Sequence, residues 1–244
     1  MSEKTVRLNV WLSSFRRKQY ITIYERMKEK YPQMRSILFS DHEESTKNYA
    51  NKIEDEFGMA FDWEVTDPSD VYELIHSQAS EFYEFEVLME HNQHLLMLAN
   101  MYQIFEQQVR SFIYAELNHC TSTVQTGELR NFCTNWDEIK KTYKLLQYDI
   151  TSNTYWETIY TLGDIVNTFK HGAGRSAKRL FEKNPEYFII DSFSREPIMN
   201  LEHTTNFEVV FDINAMNFDA FSDALIGFWK EIPEHLEGKY TFKE

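Results

Sequence analysis

Apolar residues recur along this chain at two spacings, and the helical one dominates. From residue 69 to about 118 no proline or glycine interrupts the sequence. Within that stretch Leu95, Leu98, Tyr102, Phe105, Val109 and Phe112 return at steps of three and four. The pattern predicts one long amphipathic helix, or two joined near residues 91–94. Asp67-Pro68 suits its start, because aspartate accepts from free N–H groups and proline fits the first helical position. A shorter helix is predicted at 13–31, with Phe15, Ile21, Ile23, Tyr24 and Met27 on one side and Pro32 as its end. Further helices are predicted at about 43–57, at about 136–148, at 175–183 ahead of Pro185, and at about 216–231 ahead of Pro233. Thr154-Tyr-Trp-Glu157 matches a capping box opening a helix that carries Trp156, Ile159, Tyr160, Ile165, Val166 and Phe169. Gly172 is placed to end that helix.

Period-two alternation is confined to short pieces. Residues 5–11 and 207–213 read as strands, Met59 to Thr66 fits an extended aromatic-rich segment, and 119–127 reads as a polar loop. There is no internal repeat and no low-complexity segment. The expected architecture is mainly α: one domain of packed helices over 1–244, with small β additions near the two termini.

Composition sharpens this picture. The chain has 244 residues, with 7 Gly and 5 Pro, too few for an all-β protein built on many tight turns. Hydrophobic residues make up 42% and aromatics 16%, enough to fill a core rather than remain disordered. No run of 18 apolar residues occurs, and Met-Ser-Glu-Lys-Thr-Val-Arg at the start lacks the apolar core of a signal peptide. Cys120 and Cys133 are the only cysteines and have no CxxC spacing, so they read as reduced packing residues of a cytoplasmic protein.

The net charge of −14 is unevenly spread. Residues 41–90 hold fifteen acidic side chains against Lys47 and Lys52. Such a run is a solvated face, a surface for a basic protein partner, or a mimic of nucleic-acid charge. Its aromatics, among them Phe57, Phe61, Trp63, Tyr72, Phe82, Tyr83 and Phe85, serve the core or anchor that partner. Residues 170–183 run the other way, with Lys170, Arg175, Lys178, Arg179 and Lys183 against Glu182. Any contact with nucleic acid must therefore be local.

The candidate chemistry sits in Asn167-Thr-Phe-Lys-His-Gly-Ala-Gly-Arg175. Asn167 and His171, four apart, share a helix face, with Lys170 beside it. The Gly-Ala-Gly turn lets backbone approach a ligand, and Arg175, Lys178 and Arg179 open the next helix, whose first N–H groups favour anions. Histidine suits proton transfer near neutral pH, asparagine can orient the imidazole, and the cations can hold phosphate. Against this stands a plainer reading, in which His171 caps the last carbonyls and the cations neutralise helix ends. His91 and His94, flanked by Glu86 and Glu90, lack the spacing of a helical metal motif and read as core or solvated histidines; no metal or cofactor is expected.

The order of elements resembles the HEPN superfamily of helical nucleotide- and RNA-binding domains. The helix from Leu98 to Arg110, with Glu106, looks like the family's early helix and its inward glutamate. Asn167-Thr-Phe-Lys-His171-Gly looks like the end of the family's Arg-x4–6-His motif. The resemblance covers about 70–185, leaving 1–69 and 186–244 as flanking decorations. It implies a homodimer in which motif residues of two subunits face each other and cut RNA without metal, as in toxin–antitoxin and anti-phage defence systems. On that reading His171, Asn167 and Lys170 are catalytic, Arg175, Lys178 and Arg179 bind phosphate, and Glu106 and Arg110 support. The positions of the family's arginine are here Asp164, Ile165 and Val166. Either Lys170, Arg175 or Arg110 replaces that cation, or the domain no longer cleaves. Two functions follow: a metal-independent endoribonuclease, or a catalytically inactive interaction protein (complex subunit, antitoxin or inhibitor) that binds its partner through the acidic flank.

Overall fold

The stretch that begins at Asp67-Pro68 is one uninterrupted helix. In the computed structural model, which describes residues 3–60, 67–120, 135–203 and 205–243, the element order is β1 (Glu3–Trp11), α1 (Ser14–Leu38), α2 (His42–Ala60), α3 (Pro68–Cys120), α4 (Trp136–Leu145), α5 (Trp156–His171), α6 (Arg175–Lys183), α7 (Ile198–Glu202), α8 (Phe218–Glu231) and β2 (His235–Lys243). The fold is mainly α with one small two-stranded sheet, as the helical spacing predicts. Asp67 Oδ1 accepts from Ser69 N at 2.9 Å, so α3 starts on its predicted cap. No described helix is long and apolar enough to cross a membrane. Phe61, Trp63, Cys133 and most of the predicted loop at 119–127 lie outside the described residues, as does the side chain of Cys120.

The chain forms two compact units. The first comprises residues 1–29, 98–166 and 217–244. Its core is aromatic: Phe105 stacks on Trp136 at 5.9 Å between centroids, Phe105 meets Phe228 edge-on at 4.8 Å, and Trp136 meets Trp156 edge-on at 5.5 Å. Edge-to-face pairs of this kind add to the apolar burial that drives folding. Tyr24 is buried and its hydroxyl donates to Gln108 Oε1 at 2.6 Å. Of the apolar residues expected to line one side of α1, Ile21 and Tyr24 are buried, whereas Phe15 and Ile23 face solvent. The Arg17 guanidinium reaches the carbonyls of Trp229, Lys230 (3.0 Å) and Ile232 (2.8 Å), closing the C-terminal end of α8.

The sheet belongs to this unit. β1 pairs antiparallel with β2, from Glu3 opposite Lys243 to Trp11 opposite His235. Leu8 and Val10 are buried while Arg7 and Asn9 are exposed, the alternation that marks a half-covered strand. Opposite Leu8 stands Gly238, where any Cβ would fall on the Leu145 carbonyl oxygen at the end of α4. The missing side chain lets the strand lie directly on that helix end.

The second unit comprises residues 30–97 and 167–216. Ile53, Val71 and Ile75 form a small core with Tyr49, Ala50 and Phe57 packed on it, and Tyr49 stacks on Phe82 at 4.3 Å. A second cluster joins Phe181, Phe188 and Phe211, at 5.3 and 5.1 Å.

Three sequence expectations are corrected. Pro32 does not end α1, which runs on to Leu38. Proline removes one backbone donor and strains the preceding turn, but residues on either side of it are tied to α3: Tyr31 to His94 at 2.6 Å and Arg35 to Glu90 at 2.6 Å. Residues 207–213 form no strand; they make one isolated bridge, Phe211 with Phe188. Neighbouring Val210 and Phe211 are both buried, so the apparent alternation does not describe one covered face. The Phe211 N–H is turned to His91 Nε2 at 3.3 Å instead of a ladder partner. Thr154 and Glu157 form no capping box: α5 begins at Trp156, the Thr154 N–H donates to the Glu231 carboxylate at 3.0 Å, and Asn153 Oδ1 accepts from Tyr155 N.

Candidate functional site

Helix α5 buries Ile159, Leu162, Ile165, Val166 and Phe169 and ends at His171. The stop is set by Gly172 at φ 67°, a left-handed conformation glycine adopts at no steric cost, with its N–H on the Thr168 carbonyl at 2.8 Å. The last turn is also held from outside: Thr205 Oγ1 donates to the Phe169 carbonyl at 2.5 Å. This anchoring fixes where the polar side chains of that turn emerge.

Asn167, Lys170 and His171 are all exposed, as are Arg175 and Lys178 across the glycine turn. Gly174 precedes α6 without a side-chain cap, and no acidic residue occupies the first turn of α6. The N–H groups there are met by no carboxylate of their own helix, the arrangement that draws an anion. Ala177 and Leu180 bury the opposite face of α6, so its cations point outward. Arg179 is half-buried and donates to Ser176 Oγ at 3.3 Å. Asp164, Ile165 and Val166, earlier on the same helix, are 4%, 0% and 1% exposed.

The eight residues singled out in the sequence divide between the units. Asn167, Lys170, His171, Arg175, Lys178 and Arg179 belong to the second, Glu106 and Arg110 to the first. Glu106 and Arg110 pair with each other along α3 at 3.2 Å, an i, i+4 ion pair on one helix face.

A second polar constellation lies inside the second unit. Glu90 accepts from Arg35 Nε at 2.6 Å on one oxygen and lies 2.8 Å from His42 Nε2 on the other. Burial alone would raise the Glu90 carboxyl, but the hydrogen bonds from His42 and Arg35 bring it below its ordinary value. His91 and His94 are 1% and 2% exposed, which settles them as core histidines. Burial lowers both to about 4, with Arg35 adding to the effect at His94. Because His91 Nε2 accepts the Phe211 N–H, the neutral ring is the one that fits. Among the described residues no group of three His, Cys, Asp or Glu side chains could hold a metal ion. Sequence reasoning saw Glu90, His91 and His94 together on α3 but had no signal for Arg35 and His42, which come from two other helices.

Comparison with protein-family models, with curated proteins and with solved structures finds no match for this chain.

Proposed function

We propose that this chain is an RNA-directed helical protein of HEPN type that engages RNA at the turn between α5 and α6. The observation that carries this reading is the joint exposure of Asn167, Lys170, His171, Arg175 and Lys178 around one anchored glycine turn, in a chain that is otherwise strongly acidic. A cationic turn beside an uncapped helix N-terminus suits successive phosphates of a single strand. Within the same reading His171 moves the proton. It takes the ribose 2′-hydroxyl proton while the 2′-oxygen attacks phosphorus, and a protonated imidazole, from the same or a second copy, returns a proton to the departing 5′-oxygen. The products are a 2′,3′-cyclic phosphate and a 5′-hydroxyl. Lys170 and Arg175 neutralise the phosphate and Asn167 orients the ring. The resemblance adds a homodimer and a role in toxin or phage-defence biology.

One observation favours the rival, an inactive interaction protein: buried Asp164, Ile165 and Val166 leave the family's arginine unreplaced at its own positions. Induced expression separates the two. The cleavage reading expects growth arrest with fragmented RNA for the native chain, and intact RNA with normal growth for His171→Ala. Intact RNA from both, at equal expression, leaves the interaction protein as the reading.

A further inference from the structure

In the second unit a groove of about 490 Å³ runs between α3 and the segment 205–209. Its α3 wall carries Glu81, Glu84, Phe85 and Leu88, spaced i, i+3, i+4 and i+7 and therefore on one helix face. Its other wall carries Phe207 and Glu208. Phe85 is 57% exposed and Phe207 79%, large apolar rings left in water. Among the described residues that line it, none is lysine or arginine.

The second wall is fixed in place. The Asn206 carbonyl accepts from Asn92 Nδ2 at 3.0 Å, one turn beyond Leu88 on the same helix. Thr205 is tied to Phe169, and Val210 accepts from Ile189 N at 3.0 Å. A segment tied on both sides of Phe207 and Glu208 does not collapse into the groove, so the space is preformed. Preformed concavities of a few hundred Å³ with apolar walls and a few convergent charges are what ligand-sized groups occupy.

We propose that this groove docks a basic amphipathic segment of a partner protein, seating an arginine between Phe85 and Phe207 with its guanidinium on Glu84 and Glu208. Charge complementarity selects the occupant. Glu81, Glu84 and Glu208 disfavour nucleic acid and acidic peptides, and the exposed rings disfavour a hydrated metal ion. Arginine satisfies both chemistries, since its plane stacks on aromatic faces and its N–H fork matches carboxylates. A leucine or similar residue on the same segment covers Leu88. The groove shares no residue with the α5–α6 turn, so this proposal and the RNA reading fail separately.

The test uses the full chain and a short fluorescein-labelled peptide of arginine and leucine, with a glutamate-for-arginine peptide as control, read by anisotropy. The expected result is saturable binding of the basic peptide alone. Glu84→Lys with Glu208→Lys should weaken it about tenfold or more, and Phe85→Ala by several-fold. Reversal of two exposed α3 acids that precede Glu84 by fourteen and eleven residues, about 21 and 16 Å along the helix, Asp70→Lys with Glu73→Lys, should leave affinity within about twofold. All these side chains are exposed, so circular dichroism should be unchanged. Equal weakening by the distant pair would reduce the effect to general electrostatics and overturn the proposal. Absence of binding, or loss of self-association in Glu84→Lys as the only change, would overturn it too, the latter in favour of a second copy of this chain as occupant.

Discussion

Lowering the pH from 7 to 5 should destabilise the second unit through His91 and His94. Both rings are buried and titrate at about 4 in the folded chain, against about 6.5 when unfolded. A group whose folded pKa is depressed below its unfolded value binds its proton preferentially in the unfolded chain, so a histidine shifted this way loses stability as pH falls. At pH 7 neither state is much protonated. At pH 5 the unfolded histidines are nearly all charged and the folded ones nearly all neutral, a difference of about 2 kcal/mol for each ring and about 4 kcal/mol for the pair. Glu90 works in the other direction, because its lowered carboxyl stabilises the fold above the ordinary carboxylate range. That contribution is lost only below about pH 4.5, outside this window. Urea unfolding at pH 7, 6 and 5 reads the slope. His94→Gln, which keeps an amide partner for Tyr31, should remove about half of it. A stability that stays flat between pH 7 and 5, or an undiminished slope in His94→Gln, would refute the assignment of these rings as neutral core groups.

Gly238→Ala should cost about 1–3 kcal/mol in urea unfolding, since the new Cβ falls on the Leu145 carbonyl oxygen and lies 3.0 Å from Leu146 Cα, and backbone must move. Arg17→Met should lower stability by about 1–3 kcal/mol, because the C-terminal carbonyls of α8 lose a charged donor. His171→Ala should leave the denaturation midpoint within about 0.5 kcal/mol of native, as expected for an exposed side chain; a larger loss would make His171 structural.

The main helices were legible because their signals are local. α3 carries an uninterrupted apolar repeat behind a real cap, and the end of α5 needs a left-handed residue that Gly172 supplies. Pro32 misled because the ties holding α1 together beyond it come from His94 and Glu90, more than fifty residues away. β2 escaped notice because Gly238 puts no side chain on the face that Leu236 buries, which leaves the apolar alternation unreadable; its partner is the other end of the chain. For the candidate site, the sequence supplied the residues and their shared turn. Their exposure, the anchoring of Phe169 by Thr205 and the burial of Asp164, Ile165 and Val166 depend on packing that no local pattern encodes.

The proposed RNA contact rests on Lys170, Arg175 and Lys178. Its most direct test is the salt dependence of binding of a labelled single-stranded RNA to the full native chain, beside the chain carrying alanine at those three positions. Three phosphate contacts give a slope of about −2 in log affinity against log salt, so affinity should fall about twentyfold between 50 and 200 mM. The triple variant should bind weakly and with a slope near zero. Equal affinity and equal slope in the two chains would contradict the claim, and the α5–α6 turn would then be only a capped helix end.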